Sequence, residues 1–341
     1  MLDRVSAARS VLLVPILVGL IGCSSGEQSA PAREPAQPAR VGSNPLFGQS
    51  LYVDPANPAA SQAQRWRAEG RAADAAAIAR LAKRPTARWL AEEADVAARV
   101  RETTQTAAKA GRTALLVAYH VPGRDCGSYS AGGSGSPVAY RAWVRAFARG
   151  IGPRGATVIL EPDAIPQAVV ESCLSDSAKA ERYALLADAV KTFAKLPHVA
   201  VYIDAGNPGF VRPVDRLVAP LRASGIKAAD GFALNVSNFF RTGRVIEYGR
   251  ALSRRLSGAH FVIDTSRNGN GPSFHDDPGG PKWCNPPGRA IGRSPTTSTH
   301  QPKVDAYLWI KQPGASDGTC RAGAPPAGHW WPEYALSLVG N

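Results

Sequence analysis

Short apolar runs alternate with amphipathic segments along the chain from about residue 110 onward. The apolar runs are rich in Val, Ile and Leu, as is typical of strands that are buried on both faces. In the segments 140–151, 183–193 and, more weakly, 245–252, apolar residues recur every three or four positions and therefore share one helical face. The pattern predicts strands that alternate with helices.

Strands that alternate with helices join as right-handed βαβ units into a parallel sheet. The apolar runs give seven strands, which is close to the number that closes a barrel. We therefore predict an α/β fold with a parallel sheet or barrel. The predicted strands are 86–90, which is the weakest, 114–119, 157–160, 199–203, 231–236, 260–263 and 306–310.

Polar residues follow nearly every predicted strand at the point where it ends. Parallel strands end at one edge of the sheet, and ligands bind at that edge. Capping of the next helix would explain one or two of these segments but explains six of them poorly. The charged residues expected to converge are Asp125, Glu161, Asp163, Asp204, Asp264 and Asp317, with Arg124, Arg267 and Lys311.

Several carboxylates in one cleft cannot all ionise normally, so one of them stays protonated near neutral pH. A protonated carboxyl group beside an ionised one is the requirement for cleavage of a glycosidic bond. Trp89 and Trp283 fall at strand-end or loop positions, where their rings could stack on sugars, whereas Trp143 and Trp309 are expected in the core. The six His residues form no HxH or HExxH pattern, and no GxSxG follows a strand, so neither a metal hydrolase nor a serine hydrolase is favoured.

The first 23 residues are predicted to be a bacterial lipoprotein signal peptide. Arg4 and Arg9 precede an apolar stretch over 11–21, and Cys23 follows as the candidate lipidated residue. An ordinary cleaved signal with an incidental Cys is the alternative. Residues 24–43 are rich in Ser, Pro, Ala, Gln and Glu and are interpreted as a flexible linker, which leaves 44–341 as the catalytic domain.

The formal net charge is +13, but the Arg residues are scattered and not interleaved with aromatic residues. This distribution favours solubility with a loose attraction to acidic wall polymers over nucleic-acid binding. Four Cys besides Cys23 suggest two disulfides in an exported protein, with three possible pairings. None lies in a CxxC pair, so a zinc site is not expected.

Seven strings resemble glycoside hydrolase family 6, which contains endo-β-1,4-glucanases and cellobiohydrolases. They are YHVPGRDCGSYSAGG, VILEPDA, YIDAGN, GFALNVSNF, VIDTSRNGNGP, WCNPPGRAIG and DAYLWIKQPGASDGTC. The resemblance runs from about Leu51 to the C-terminus. It implies a distorted seven-stranded parallel β/α barrel, TIM-like in layout, and an enzyme that cleaves β-1,4-glucan with inversion and without a cofactor or metal.

The resemblance also implies roles for individual residues. Asp163 would be the general acid, Asp125 would raise the pKa of Asp163 and help carry a proton from water, and Asp317 would hold the other candidate base position. Tyr119 would press on the sugar at the cleavage site. The implied glucose-binding residues are Trp89, Arg124, Asp204, Asn238, Trp283 and Lys311, and the implied disulfides are Cys126–Cys173 and Cys284–Cys320.

Three residues depart from the family pattern. Asn207, Phe210 and Ala315 stand where the family usually has His, Trp and Glu. We therefore expect altered or weaker substrate use, and a non-hydrolytic glucan-binding lipoprotein or an inverting hydrolase of another β-glucan are the alternatives. The two cysteines of each implied disulfide are only 47 and 36 positions apart. Loops this short are not expected to roof the cleft, so an open cleft and endo cleavage are favoured. We expect a monomeric, exported protein that binds β-glucan and is either anchored to the membrane at Cys23 or secreted.

Overall fold

A computed structural model of the chain describes residues 43–273 and 279–340. The predicted signal peptide, the lipidation site Cys23 and the predicted linker up to residue 42 lie outside the described residues. The sheet contains seven strands, as the apolar runs predict. They are β1 (Arg88–Leu90), β2 (Ala114–Ala118), β3 (Ala156–Leu160), β4 (Val199–Asp204), β5 (Gly231–Leu234), β6 (His260–Asp264) and β7 (Val304–Leu308).

All six strand pairs are parallel, and the strands follow one another in chain order from β1 to β7. The sheet curls into a distorted β/α barrel, so the predicted fold class is confirmed. Two contacts link the first strand to the last across the seam. The backbone N–H of Ala87 donates to the carbonyl of Trp309 at 3.0 Å, and the indole N–H of Trp89 donates to the carbonyl of Ile310 at 2.8 Å.

Successive residues of a strand point to opposite faces of the sheet, and here both faces are apolar. Leu115 and Val117 of β2 belong to a cluster that fills the barrel interior together with Tyr202 and Leu308. Leu116 of β2 belongs to the larger cluster between the sheet and the surrounding helices. The continuous apolar runs therefore reflect strands that are covered on both sides.

Helices surround the sheet, and several begin at a side-chain cap. Ser136 and Ser175 accept hydrogen bonds from the backbone N–H groups of Ala139 and Ala178, which fixes the starts of two helices. None of the described helices is both long and apolar enough to cross a bilayer. The helices are α1 (Pro58–Ala68), α2 (Ala72–Ala82), α3 (Val96–Lys109), α4 (Pro137–Ile151), α5 (Ala164–Val170), α6 (Asp176–Ala194), α7 (Val218–Ala223), α8 (Thr242–Arg255) and α9 (Pro332–Gly340).

The helical spacing predicted only α4, α6 and α8, so the other described helices were not predicted, and the end of the last strand was misplaced. The hairpin of α1 and α2 was not predicted; it packs against α9 through an Ala-rich cluster that includes Trp66. Strand β7 begins two residues earlier than predicted and ends before Trp309. Trp309 is buried as expected, but it belongs to the cluster of α1 and α2, and its indole N–H donates to the carbonyl of Arg293.

Candidate active site

A cleft of about 930 Å³ lies at the carboxyl ends of the strands. Its walls contain nine of the ten residues for which catalysis or glucose binding is predicted from sequence. The tenth, Asp204, lies beneath the wall. The nine are Trp89, Tyr119, Arg124, Asp125, Asp163, Asn238, Trp283, Lys311 and Asp317.

Asp163 lies at the end of β3, directly before α5, and its backbone has a positive φ of 67°. Burial raises the pKa of its carboxyl well above the ordinary value, and the nearby carboxyls of Asp204, Asp125 and Glu171 raise the pKa further. Lys311 opposes them weakly. The Asp163 carboxyl is therefore held in its protonated form, in which it can donate a proton.

Asp204 supports Asp163 from below. Its Oδ2 accepts hydrogen bonds from the backbone N–H of Asp163 at 2.9 Å and from that of Gly206 at 3.2 Å. The side chain is 1% exposed, and burial raises the pKa of the carboxyl to about 7. Asp204 is thus buried behind the cleft wall, where it fixes the backbone of Asp163, and its expected contact with glucose stays a prediction.

Asp125 lies on the loop after β2, in a short 3-10 helix, Asp125–Gly127. Its Oδ2 accepts the backbone N–H of Ser130 at 2.7 Å, and its Oδ1 accepts the side-chain amide of Gln167 at 3.0 Å. Gln167 lies on α5, one turn after Asp163. The two carboxyls of Asp125 and Asp163 are thus held by neighbouring loops and face the same cleft.

Asp317 has surroundings of the opposite charge. Arg267 makes two bonds of 2.9 Å to its oxygens, and Lys311 Nζ lies 3.1 Å from its Oδ1. The backbone N–H of Asn285 donates to its Oδ2 at 2.9 Å. Burial raises the pKa of this carboxyl, but the two cations outweigh burial, and its pKa lies below the ordinary value. Asp317 is consequently ionised and fully engaged, which makes it a weak proton acceptor.

Arg124 is buried beside the cleft and holds the loop after β2. Its guanidinium donates to the carbonyls of Tyr119, Ser130 and Ala131 at 2.6, 2.8 and 3.1 Å. It also pairs with Glu92 at 2.9 Å. These bonds engage most of the guanidinium N–H donors, so Arg124 fixes the loop after β2, and its expected contact with glucose stays a prediction.

Tyr119 is held between Arg124 and Trp89. The guanidinium of Arg124 lies 4.5 Å from the centre of its ring, and the ring of Trp89 meets it edge-on at 5.1 Å. Burial raises the pKa of Tyr119, and Asp163 and Asp125 add to the rise, so its hydroxyl stays neutral. The ring is therefore a fixed wall of the cleft next to both carboxyls.

Asp264, at the end of β6, ties three loops together. One of its oxygens accepts the backbone N–H groups of Ser237 and Lys311 at 3.0 and 2.9 Å, and the other accepts that of Ser266 at 2.9 Å. Glu161 does the same near β3, accepting the backbone N–H groups of His120 and Val121. Both side chains are buried, so these two of the six converging acids support the cleft from beneath.

Exposed aromatic rings form one side of the cleft. The side chain of Trp283 is 46% exposed, and Tyr129 lies beside it with the ring centres 6.0 Å apart. Tyr129 packs on the backbone of Gly318, where a Cβ atom would lie 2.6 Å from that of Tyr129. Aromatic faces at such positions are suited to stacking on pyranose rings.

The two disulfides have the expected pairing. Cys126–Cys173 joins the loop that carries Asp125 to the segment after α5, and Cys284–Cys320 joins the loop that carries Trp283 to the segment after Asp317. Both bonds therefore fix strand-end loops beside the cleft.

The three departures from the family pattern also line the cleft. The Oδ1 of Asn207 accepts a hydrogen bond from the backbone N–H of Gly209, so this oxygen is already engaged within its own loop. Phe210 is half-buried next to Asn207. Ala315 is 5% exposed and contributes only a methyl group to the wall. The altered positions therefore fall in the part of the site that would contact substrate.

Sequence reasoning missed Gln167, Glu171 and Tyr129. The carboxyl of Glu171 lies within 4.8 Å of the sulfur atoms of Cys126 and Cys173, and Glu171 lines the cleft. Gln167 and Glu171 are spaced four and eight residues after Asp163, so a helix starting at Asp163 would have indicated that they share its face.

Curated relatives of the chain include endoglucanases and, at 28–29% identity, cellobiohydrolases such as CEL6B of Podospora anserina. Endoglucanase A of Thermobispora bispora is 41% identical over 311 residues, which is 89% of this chain and 64% of that protein. Endoglucanase A of Cellulomonas fimi is 42% identical over 295 residues, covering 85% and 61%. Endoglucanase 1 of Streptomyces halstedii is 38% identical over 318 residues, covering 89% and 92%. The chain thus spans less than two thirds of the first two endoglucanases but nearly all of the third.

Solved structures agree with these relatives. The endoglucanase Cel6 of Mycobacterium tuberculosis, determined with methyl-cellobiosyl-4-deoxy-4-thio-β-D-cellobioside, matches with a TM-score of 0.80 and 43% identity. The match covers 87% of this chain and 98% of that one. The endoglucanase CEL6B of Humicola insolens matches with a TM-score of 0.74 and 25% identity, covering 88% and 98%. The sequence model of the glycosyl hydrolases family 6 matches residues 46–341, and the chain belongs to this family.

Proposed function

We propose that the chain is an inverting endo-β-1,4-glucanase that acts on cellulose or a related β-glucan. The observation that carries the proposal is the pair of unlike carboxyl environments in one cleft. Asp163 is held protonated among other carboxyls, and Asp125 lies beside it with its two oxygens bonded to Ser130 and Gln167. The identity to endoglucanases of the same family supports it.

Asp163 acts as the general acid. It donates its proton to the glycosidic oxygen as the bond between that oxygen and the anomeric carbon breaks, so the leaving sugar departs as a neutral alcohol. Asp204 fixes the backbone at Asp163 through its hydrogen bond, and its charge helps keep the proton on Asp163. Tyr119 confines the sugar ring next to the acid.

A water molecule attacks the anomeric carbon from the opposite face, and its proton must leave. We assign Asp125 as the group that takes up this proton, directly or through a second water. Asp317 is the poorer candidate because Arg267 and Lys311 already neutralise its charge and hold its pKa low. Its role is to hold Lys311 in the cleft wall and to neutralise the buried Arg267 behind it.

Endo action is supported by the loops. The disulfide-bonded segments span 47 and 36 residues, which is short for a roof over the cleft. An open cleft admits the middle of a chain. Trp89 and Trp283 line this cleft as stacking surfaces, and Asn238 and Lys311 supply polar contacts for glucose units.

The test uses carboxymethylcellulose and soluble cello-oligosaccharides. Solution viscosity should fall sharply before many reducing ends form, and NMR should show the α-anomer as the first product. Asp163→Asn serves as the inactive partner, and Asp176→Asn, at the exposed start of α6, is the matched control with full activity. A β-anomer as first product would overturn the inverting mechanism, and a slow viscosity loss would overturn endo action.

One observation favours a second function, a glucan-binding protein without hydrolysis. Asn207, Phe210 and Ala315 together remove an imidazole, an indole and a carboxylate from the cleft relative to the family pattern. Each lost stacking or hydrogen-bond partner costs roughly 1–3 kcal/mol of transition-state stabilisation, which would lower the rate of hydrolysis. Equal, negligible hydrolysis by the natural chain and by Asp163→Asn, with glucan affinity retained, would favour this function.

We further propose that the protein is exported and held at the outer side of the cell membrane through a lipid on Cys23. The signal-like residues 1–23 and the linker-like residues 24–43 support this organisation, with 44–341 as the catalytic domain and a monomer as the working unit. The two disulfides fit an oxidising compartment. Mass spectrometry of the N-terminal peptide and cell fractionation of the Cys23→Ala variant test the anchor.

A further inference from the structure

The two ends of the barrel differ in charge. The cleft end contains the acidic residues described above. The opposite end consists of the turns that lead from a helix into the next strand, and we call it the lower face. Each of the six turns before β2 to β7 has an exposed basic side chain, either in the turn itself or in the last turn of the helix before it: Arg112, Arg149, Lys195, Lys227, Arg254 and Lys303.

These turns adjoin one another and form one surface. The backbone N–H of Ala156 donates to the carbonyl of His198 at 3.1 Å, which joins the turns before β3 and β4. Arg222 donates to the carbonyl of Arg255 at 3.0 Å, which joins the turns before β5 and β6. Lys303 Nζ lies 3.3 Å from the His260 ring, which joins β6 and β7.

Few carboxylates offset this charge in the described part of the lower face. Asp305 is 1% exposed and is bonded to the hydroxyl of Tyr202 and the ring of His260. Asp215 pairs with Arg255. The carboxylates near this end are Asp54, Asp215, Asp230 and Asp305.

Helix stability accounts for only part of the pattern. Basic residues in the last turn of a helix interact favourably with its dipole, and Arg149 and Arg254 hold such positions. Arg112 and Lys227 lie beyond the last helical residue, in the turns themselves. Their charges are directed at solvent, so the surface potential is positive for a reason beyond helix capping.

The N-terminal segment reaches the barrel at this same end. The side-chain amide of Asn44 donates to the carbonyl of Asp305, the second residue of β7, at 2.9 Å. Leu46 is fully buried in the interior cluster, and the backbone of Ser50 and Tyr52 pairs with Thr113, just before β2. The described chain therefore begins at the lower face.

We propose that the lower face docks on an anionic lipid bilayer, with the cleft directed away from it. The two observations that carry the proposal are independent: the ring of basic side chains at these turns, and the start of the described chain, at Asn44, on the same end. Basic residues near an anionic membrane each add a favourable electrostatic contribution that falls off within a Debye length. Docking in this orientation leaves the cleft open to polysaccharide, and it requires no lipid on Cys23.

The experiment uses the chain from Ser24 onward, which retains every described residue and lacks Cys23. Co-sedimentation is measured with vesicles of phosphatidylglycerol and phosphatidylcholine in equal parts, and with phosphatidylcholine alone. We expect binding to the anionic vesicles only, with loss of binding at high salt. The triple variant Arg112→Gln, Lys195→Gln, Lys227→Gln should lower the partition constant about 100-fold, since each basic residue contributes roughly a factor of five.

The matched control removes three charges from the other end: Arg67→Gln, Arg99→Gln and Arg244→Gln. It should change the partition constant by less than about threefold, and both triple variants should keep natural hydrolysis of soluble glucan, which shows that they are folded. Equal losses in the two triple variants would overturn the proposal in favour of diffuse attraction by net charge. So would tighter binding to inorganic polyphosphate than to the anionic vesicles, which would indicate a soluble polyanion as partner.

Discussion

Asp163 and Asp317 face one cleft, yet their surroundings have opposite charge. Three carboxyls lie near Asp163 and raise its pKa, whereas Arg267 and Lys311 bind Asp317 and lower its pKa. The same side chain is thereby set up as a proton donor at one place and as a fixed anion at the other. The charged partners supplied by neighbouring loops, and not the residue type, therefore decide the protonation state of each Asp in this cleft.

The largest effect is expected from Asp163→Asn. Removal of a positioned general acid should lower kcat by a factor of about 10² to 10⁴, because the leaving oxygen is no longer protonated. The free energy of unfolding should not fall, since the variant removes a carboxyl from a group of carboxyls. Steady-state kinetics and urea unfolding check both points. Retention of natural kcat would contradict the assignment of Asp163, and not Asp317, as the proton donor.

Asp317→Asn should act mainly on stability. It leaves Arg267 and Lys311 buried without their anion, which should cost roughly 3 kcal/mol of unfolding free energy. Asp215→Asn is the matched control, because its partner Arg255 is exposed and such pairs contribute about 0–1 kcal/mol. Urea unfolding compares the two. Equal losses of unfolding free energy would show that the buried ion cluster stabilises the fold no more than the exposed pair does.

Asp204→Asn should move the pH profile. The rate falls as the pH rises through the pKa of Asp163, because the protonated acid is lost. Without the charge of Asp204, the pKa of Asp163 should decrease, so the alkaline limb of kcat/KM should move to lower pH by roughly one unit. Asn can still accept the backbone N–H of Asp163, so the acid should keep its position. An unmoved limb would contradict the coupling between the two carboxyls.

Glu171→Gln should move the same limb in the same direction, but by about 0.3 unit, because Glu171 is partly exposed and solvent screens its charge. Glu181→Gln, on the exposed side of α6, is the control and should leave the profile unchanged. A shift as large as that of Asp204→Asn would mean that solvent does not screen the interaction between the Glu171 and Asp163 carboxyls.

Most of the fold could be predicted from sequence because its signal is local. Strands β2 to β6 are continuous apolar runs, and α4 and α6 have clear helical spacing. The α1–α2 hairpin was missed because its Ala-rich sequence has a weak amphipathic pattern. The end of β7 was misplaced because the apolar run continues through Trp309 and Ile310. These two residues are buried, but they follow the strand and do not belong to it.

The sequence predicted which residues form the cleft but not how they contact one another. The strand-end rule and the family resemblance bring Asp125, Asp163 and Asp317 to one cleft. Spacing along the chain could not show that Asp204 lies beneath Asp163, or that Arg267 binds both oxygens of Asp317. Such facts depend on contacts between loops 40 or more residues apart, which leave no periodic trace in the sequence.

Leu46 has a mechanical consequence. Under the proposed attachment through Cys23, drag from a moving polymer substrate would enter the fold through residues 44–52. Leu46 packs into the apolar interior of the barrel, and the hydrogen bond from the Asn44 side chain to the carbonyl of Asp305 holds this segment in place. Tension would therefore be resisted at the floor of the barrel before it reached the loops that hold Asp125 and Asp163, so the catalytic geometry is insulated from the pull.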